Sequence, residues 1–144
     1  MKNKIRFQDA AFGLFLSLAL LLLAGCASSG SAKGNEVNVT LSSYKIDMDK
    51  SSVPAGSVTF HIKNTASDME HEFIVFQTDL DPSKLPLDNE GNVAEDQLKS
   101  LGEKELKPNE SGDLTIDMPA GHYVMVCNQP GHYQQGMYTA FTVQ

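Results

Sequence analysis

The chain has 144 residues, with 11 basic and 18 acidic side chains and a net charge of −7. A surface of that sign repels nucleic-acid phosphates, which excludes nucleic acid as a partner. Two cysteines are too few for a scaffold held by several disulfides.

Lys2, Lys4 and Arg6 precede an apolar run from Ala10 to Ala24 that closes on Leu23-Ala24-Gly25-Cys26. The run is shorter than the roughly 20 residues of a comfortable membrane span, so residues 1–25 read as a bacterial lipoprotein signal peptide. Cleavage makes Cys26 the lipidated first residue. It also removes three of the 11 basic residues and one of the 18 acidic ones, leaving 8 and 17 and a net charge of −9. Residues 26–36 are small and polar and read as a flexible tether with a root-mean-square reach of roughly 15–20 Å. The domain is therefore expected outside the cytoplasm, anchored to a membrane on its periplasmic or outer face.

Residues 37–144 suit one small domain. Val37, Val39 and Leu41 alternate, then Tyr44, Ile46 and Met48 alternate with opposite parity, which predicts a bulge or bend at Ser42-Ser43. Val58, Phe60 and Ile62 form a strand introduced by the turn Pro54-Ala55-Gly56. Phe73 to Phe76 is apolar at every position, the pattern of a strand buried on both faces or covered by the loop that follows. The charged segment from Asp79 to Glu110 contains three prolines and leaves this rhythm. Within it, Val93, Gln97, Leu98, Leu101 and Leu106 could line a short helix, limited by Gly102 and Pro108. Leu114, Ile116 and Met118 alternate, Pro119-Ala120-Gly121 turns the chain, and Tyr123, Met125 and Cys127 share a face. Met137, Thr139, Phe141 and Val143 complete the pattern. Short strands with regular turn signals imply an all-β Greek-key β-sandwich with a short helical insertion.

The residues with most chemistry lie in the stretch from Cys127 to Met137. Cys127, His132 and Met137 are separated by four residues each, placing a thiol, an imidazole and a thioether on one loop. With Cys26 lipidated, Cys127 is an unpaired thiol in an oxidising compartment, which favours metal binding. A soft thiolate with an imidazole, and a thioether at a weak axial position, suits copper. The set needs a second imidazole, and His71, at the start of the apolar run, is the candidate. His61 lies between Phe60 and Ile62 and points away from their face; His122 has parity opposite to Cys127. Both are expected at the solvent rather than on a metal.

The C-x4-H-x4-M loop, the step Pro130-Gly131-His132 and the isolated His71-Glu72-Phe73 resemble the cupredoxins, with a loop spacing similar to that of rusticyanin, sulfocyanin and auracyanin. The resemblance implies one type 1 (blue) copper ion held by His71, Cys127, His132 and Met137, with Glu72, Asn128 and Gly131 beside it. It also implies an exposed His132 edge in an apolar patch for a partner protein, for which Pro130, Tyr133, Gly136 and Tyr138 are candidates. Many cupredoxins follow the first histidine with Asn or Ser, whereas Glu72 puts a carboxylate there that would lower the potential. The implied function is transfer of single electrons between redox proteins, such as a basic-surfaced cytochrome or oxidase. No enzymatic activity or small-molecule substrate is expected. Copper storage or delivery, as a chaperone or resistance protein, is the alternative.

Overall fold

The structure is a computed structural model that describes residues 35–144. The signal peptide, Cys26 and most of the tether lie outside the described residues. No helix among those residues is long and apolar enough to cross a membrane.

Among the described residues, nine strands form two sheets: β1 (Glu36–Ser42), β2 (Lys45–Met48), β3 (Ser52–Val53), β4 (Gly56–Asn64), β5 (His71–Gln77), β6 (Lys99–Leu106), β7 (Ser111–Met118), β8 (Gly121–Val126) and β9 (Tyr138–Val143). One sheet has the order β2-β1-β4-β7, the other β3-β9-β8-β5-β6. The pairs β1–β4 and β3–β9 are parallel, and the remaining pairs are antiparallel. This is the expected all-β sandwich, with strands that are sequence neighbours divided between sheets in the Greek-key manner.

The alternating side chains fill the space between the sheets. Val37, Val39 and Leu41 meet Val58, Phe60 and Ile62 from their own sheet and Phe73, Val75, Tyr123, Met125 and Phe141 from the other. The Phe60 ring touches Phe73 and Phe141, with centroids 5.3 and 5.8 Å apart. The uninterrupted apolar run in β5 has a separate cause. Its Ile74 and Phe76, with Val124 and Val126 of β8, point to the outer face, where Leu85, Val93 and Tyr133 cover them in a second core.

Two expectations about local structure are corrected. Ser42 pairs with Lys45, so Ser43-Tyr44 is a two-residue hairpin turn rather than a bend in one strand. Tyr44 consequently leaves the inward pattern and is 41% exposed. The helical insertion is absent: the stretch from Val93 to Leu106 contains only a 3-10 turn (Glu95–Gln97) before becoming β6. Strand β6 pairs with the outer edge of β5 from Leu106, opposite His71, to Lys99, opposite Gln77. The register shifts between Val75 and Phe76, where Leu101 is the extra residue. Helical spacing lost to the pairing available along β5. The Lys and Glu side chains of β6 suit a strand whose far edge faces water.

Candidate metal centre

Strand and loop geometry bring the four expected ligands to one end of the sandwich. His71 is the first residue of β5 and is fully buried; Cys127 immediately follows β8, beside it in the same sheet. The loop then passes a 3-10 turn at Tyr133–Gln135 and enters β9 after Met137. Gly136 permits this exit because it adopts φ 93°, a left-handed conformation costly for other residues. The Cys127 amide donates to the Met137 carbonyl at 3.0 Å, and the Met137 amide donates to the His132 carbonyl at 3.1 Å. These two backbone bonds close the loop on itself and fix the order in which its donors face inward.

The donor atoms converge. His71 Nδ1 lies 3.2 Å from His132 Nδ1 and 3.8 Å from Cys127 Sγ, and His132 Nδ1 lies 3.3 Å from the same sulfur. A triangle with these sides is acute and has a circumradius of about 2.0 Å, matching the roughly 2.0–2.1 Å bonds that a first-row ion makes to imidazole and close to the roughly 2.3 Å it makes to thiolate. A single ion therefore fits in the plane of all three donors. A trigonal His2Cys set with a weak thioether beyond it is the donor set of blue-copper sites, and Met137 is fully buried at the loop's end.

Electrostatics prepare the donors for a cation. Burial lowers the pKa of both histidines, with His132 adding to the effect at His71, so both imidazoles are neutral and able to ligate. His71 Nε2 is buried without a hydrogen-bond partner among the described residues, whereas Nδ1 faces His132 and Cys127. Burial raises the Cys127 pKa against the opposing Glu72 and Gln129 amides. The thiol consequently needs a bound cation to ionise fully. The Glu72 N–H reaches Sγ at 3.3 Å, so this position serves the sulfur through its backbone whatever its side chain.

The half-buried Glu72 side chain has its pKa raised to about 7, chiefly by burial and then by repulsion from Glu95, Glu103 and Glu105. An acid whose pKa rises on folding stabilises the fold when protonated, and that contribution is lost as pH climbs from about 4.5 through about 7. In metal-free protein, Glu72→Gln is therefore expected to raise stability by about 1–2 kcal/mol at pH 8, a value reduced for the side chain's exposure, and to change little at pH 4.5. Thermal melts at the two pH values check this. Equal shifts at both would contradict the assigned cause.

Three side chains of the copper loop grip the segment between β5 and β6. Asn128 pairs with both backbone groups of Val93, accepting from its N–H at 2.7 Å and donating to its carbonyl at 3.1 Å, and also donates to Glu95. The Tyr133 hydroxyl accepts from Leu85 N–H and donates to the Pro82 carbonyl. Gln134 donates to the Gly91 carbonyl. Asn128 thus braces the loop against that segment. Gly131, with φ 79°, shapes the approach to His132 through its backbone.

Pro130 and Gly136 are exposed, but Tyr133 is buried by the segment it grips, and Tyr138 is half-buried with its ring against Tyr133 at 5.2 Å. His61 and His122 stay away from the site, paired at 2.8 Å with Asp113 and Asp79. Two contributors were not anticipated. Asn64, fully buried, ties together the loops leading to His71, and Tyr44 places its ring against His132. An Asn closing an apolar alternation was a usable signal for the first; Tyr44 offered none once it was assigned to a strand.

A family model described as a cupredoxin-like domain matches residues 13–140. The chain belongs to the cupredoxin-like family. Among solved structures, reduced auracyanin from the photosynthetic bacterium Roseiflexus castenholzii aligns with a TM-score of 0.59 at 23% identity, covering 77% of this chain and 98% of that one. Rusticyanin from Thiobacillus ferrooxidans gives 0.57 at 19% identity over 77% and 79% of the two chains. Auracyanin A from Chloroflexus aurantiacus, a "blue" copper protein, gives 0.52 at 22% over 76% and 99%. No curated protein matches the chain. With this family and donor set, the cofactor is one copper ion, and His71, Cys127, His132 and Met137 are positioned as a type 1 site.

Proposed function

We propose that the protein carries single electrons between redox proteins outside the cytoplasm, tethered to a membrane through Cys26. The observation that carries this reading is the triangle of His71, Cys127 and His132, held at one end of the sandwich and braced by the segment that Asn128 grips. Bound copper supplies a one-electron couple. The residues supply constancy of geometry. Cys127 as thiolate and the two neutral imidazoles would hold the ion, and Met137 would add a weaker thioether donor that tunes its potential. Because strands and backbone hydrogen bonds hold the donors, little rearrangement accompanies a change of oxidation state. The acidic character of the chain would steer a partner with a basic surface.

Copper delivery requires the opposite property, easy surrender of the metal. Met118, Met125 and Met137 are buried in the core rather than arrayed on a surface. Repeated reduction and oxidation of the copper-loaded protein beside a Cu(I) chelator separates the two. Retention of copper through the cycles supports the carrier; its loss on the first reduction sinks that reading in favour of delivery.

A further inference from the structure

Tyr44 occupies a conformation that its side chain disfavours. It is the second residue of the turn between β1 and β2 and has φ 59°, in the left-handed region. The other described non-glycine residue with positive φ is Asn109. Asparagine tolerates that region, whereas a bulky aromatic residue there is an outlier. A glycine would make the same turn without strain; tyrosine instead brings a ring to this position.

It touches a metal ligand. The Tyr44 and His132 rings meet edge to face, with centroids 5.2 Å apart and planes at 88°. This is a favourable geometry for an aromatic pair. The contact joins the two halves of the sandwich: Tyr44 belongs to the hairpin of the four-stranded sheet, and His132 to the loop between β8 and β9 of the five-stranded sheet. His132 is the less buried of the two imidazoles. Its other ring neighbour is His71, 5.0 Å away.

We propose that Tyr44 is a positioning residue for His132, a strained turn that presses an aromatic ring against the solvent-side imidazole and fixes its orientation. The consequence for electron transfer rests on the carrier reading above. The positional role itself does not. Both turn strain and ring contact are present in the polypeptide, so the device can be examined with and without copper.

The experiment compares Tyr44→Gly and Tyr44→Phe with the unmodified protein. In metal-free protein, the expected result is a Tm little changed in Tyr44→Gly, because relief of the turn strain offsets the lost ring contact. The His132 ring-proton NMR resonances should move toward those of a free imidazole, since the neighbouring ring current is gone. Tyr44→Phe should restore them. In copper-loaded protein, loss of metal to a chelator should be about two- to tenfold faster in Tyr44→Gly, the range expected from losing one aromatic pair. Unchanged His132 resonances in Tyr44→Gly, or a change that phenylalanine does not restore, would overturn the proposal. So would a fall in Tm matching that of a core truncation. Absence of a type 1 spectrum in the unmodified protein would defeat the carrier reading while the metal-free resonances still decide the role of Tyr44.

Discussion

His132→Gly is expected to lose the blue copper spectrum and to regain it when imidazole is added to the solution, whereas His71→Gly loses it without rescue. Either variant removes one of three equatorial donors. Perturbing even the neighbours of a metal ligand costs about 10- to 100-fold in affinity, so removal of a ligand should cost at least about 100-fold. The difference between the two lies in access. His132 is partly exposed, on a loop where Gly131 and Gly136 have open space around them. An imidazole from solvent can enter the volume vacated there. His71 is fully buried at the start of β5, with Leu106 opposite it on β6. Absorption titrations with imidazole check the prediction, and equal rescue of both variants would contradict the assignment of an inner and an outer histidine.

Asn64→Ala is expected to destabilise the fold by about 3–4 kcal/mol, near the upper end for a single substitution. The Asn64 side chain is fully buried at the end of β4. Its Nδ2 donates to the carbonyls of Met69, Leu106 and Lys107 at 2.8, 3.1 and 3.1 Å, and its Oδ1 accepts from the Ala66 N–H at 2.9 Å. Alanine deprives all of these backbone groups of their partner, and each buried group left unsatisfied costs about 1–3 kcal/mol. The carbonyls retain a second lone pair and are only partly sealed, which keeps the total below the simple sum. For a domain of this size the melting temperature should fall by roughly 15 °C. Because Met69 lies two residues before His71, copper affinity should fall as well. A denaturant melt showing a loss under about 1 kcal/mol would rule out this role.

The parts of the fold legible in the sequence were those in which one physical requirement acted alone. Alternation in Val37–Leu41, Val58–Ile62 and Leu114–Met118 follows from one face meeting the core, and these residues became β1, β4 and β7 as expected. The unbroken run from Phe73 to Phe76 likewise announced a strand covered on both sides. The C-x4-H-x4-M spacing revealed the loop because ligands of one ion must converge whatever surrounds them. The failures occurred where two requirements competed. Val93, Leu98 and Leu101 have helical spacing, but the free edge of β5 offered a row of backbone partners and took residues from Lys99 onward. Tyr44 continued the parity of Ile46 and Met48, yet the chain reversed at that point in a turn for which tyrosine is a poor choice. Tyr133 looked like a surface residue because it neighbours His132. Its burial depends on Pro82 and Leu85, some fifty residues earlier, and no local pattern reports such a contact.

The same long-range contacts explain how a loop can hold copper ligands rigidly. Asn128, Tyr133 and Gln134 each bind backbone in the segment after β5, while Cys127 and Met137 close the loop across its base. The ligands are therefore held from both the sheet beneath and the segment beside them, which is the condition for donors set before the metal arrives.

Cys127, His71 and His132, with Met137 beyond them, have the arrangement of one trigonal copper site. The most direct test of that site is the visible absorption spectrum of the Cu(II)-loaded protein beside that of Cys127→Ser. The expected result is an intense thiolate-to-copper charge-transfer band in the wild type that is absent from the serine variant. A Cu(II) complex without that band, or a band that survives the loss of Cys127, would contradict the site.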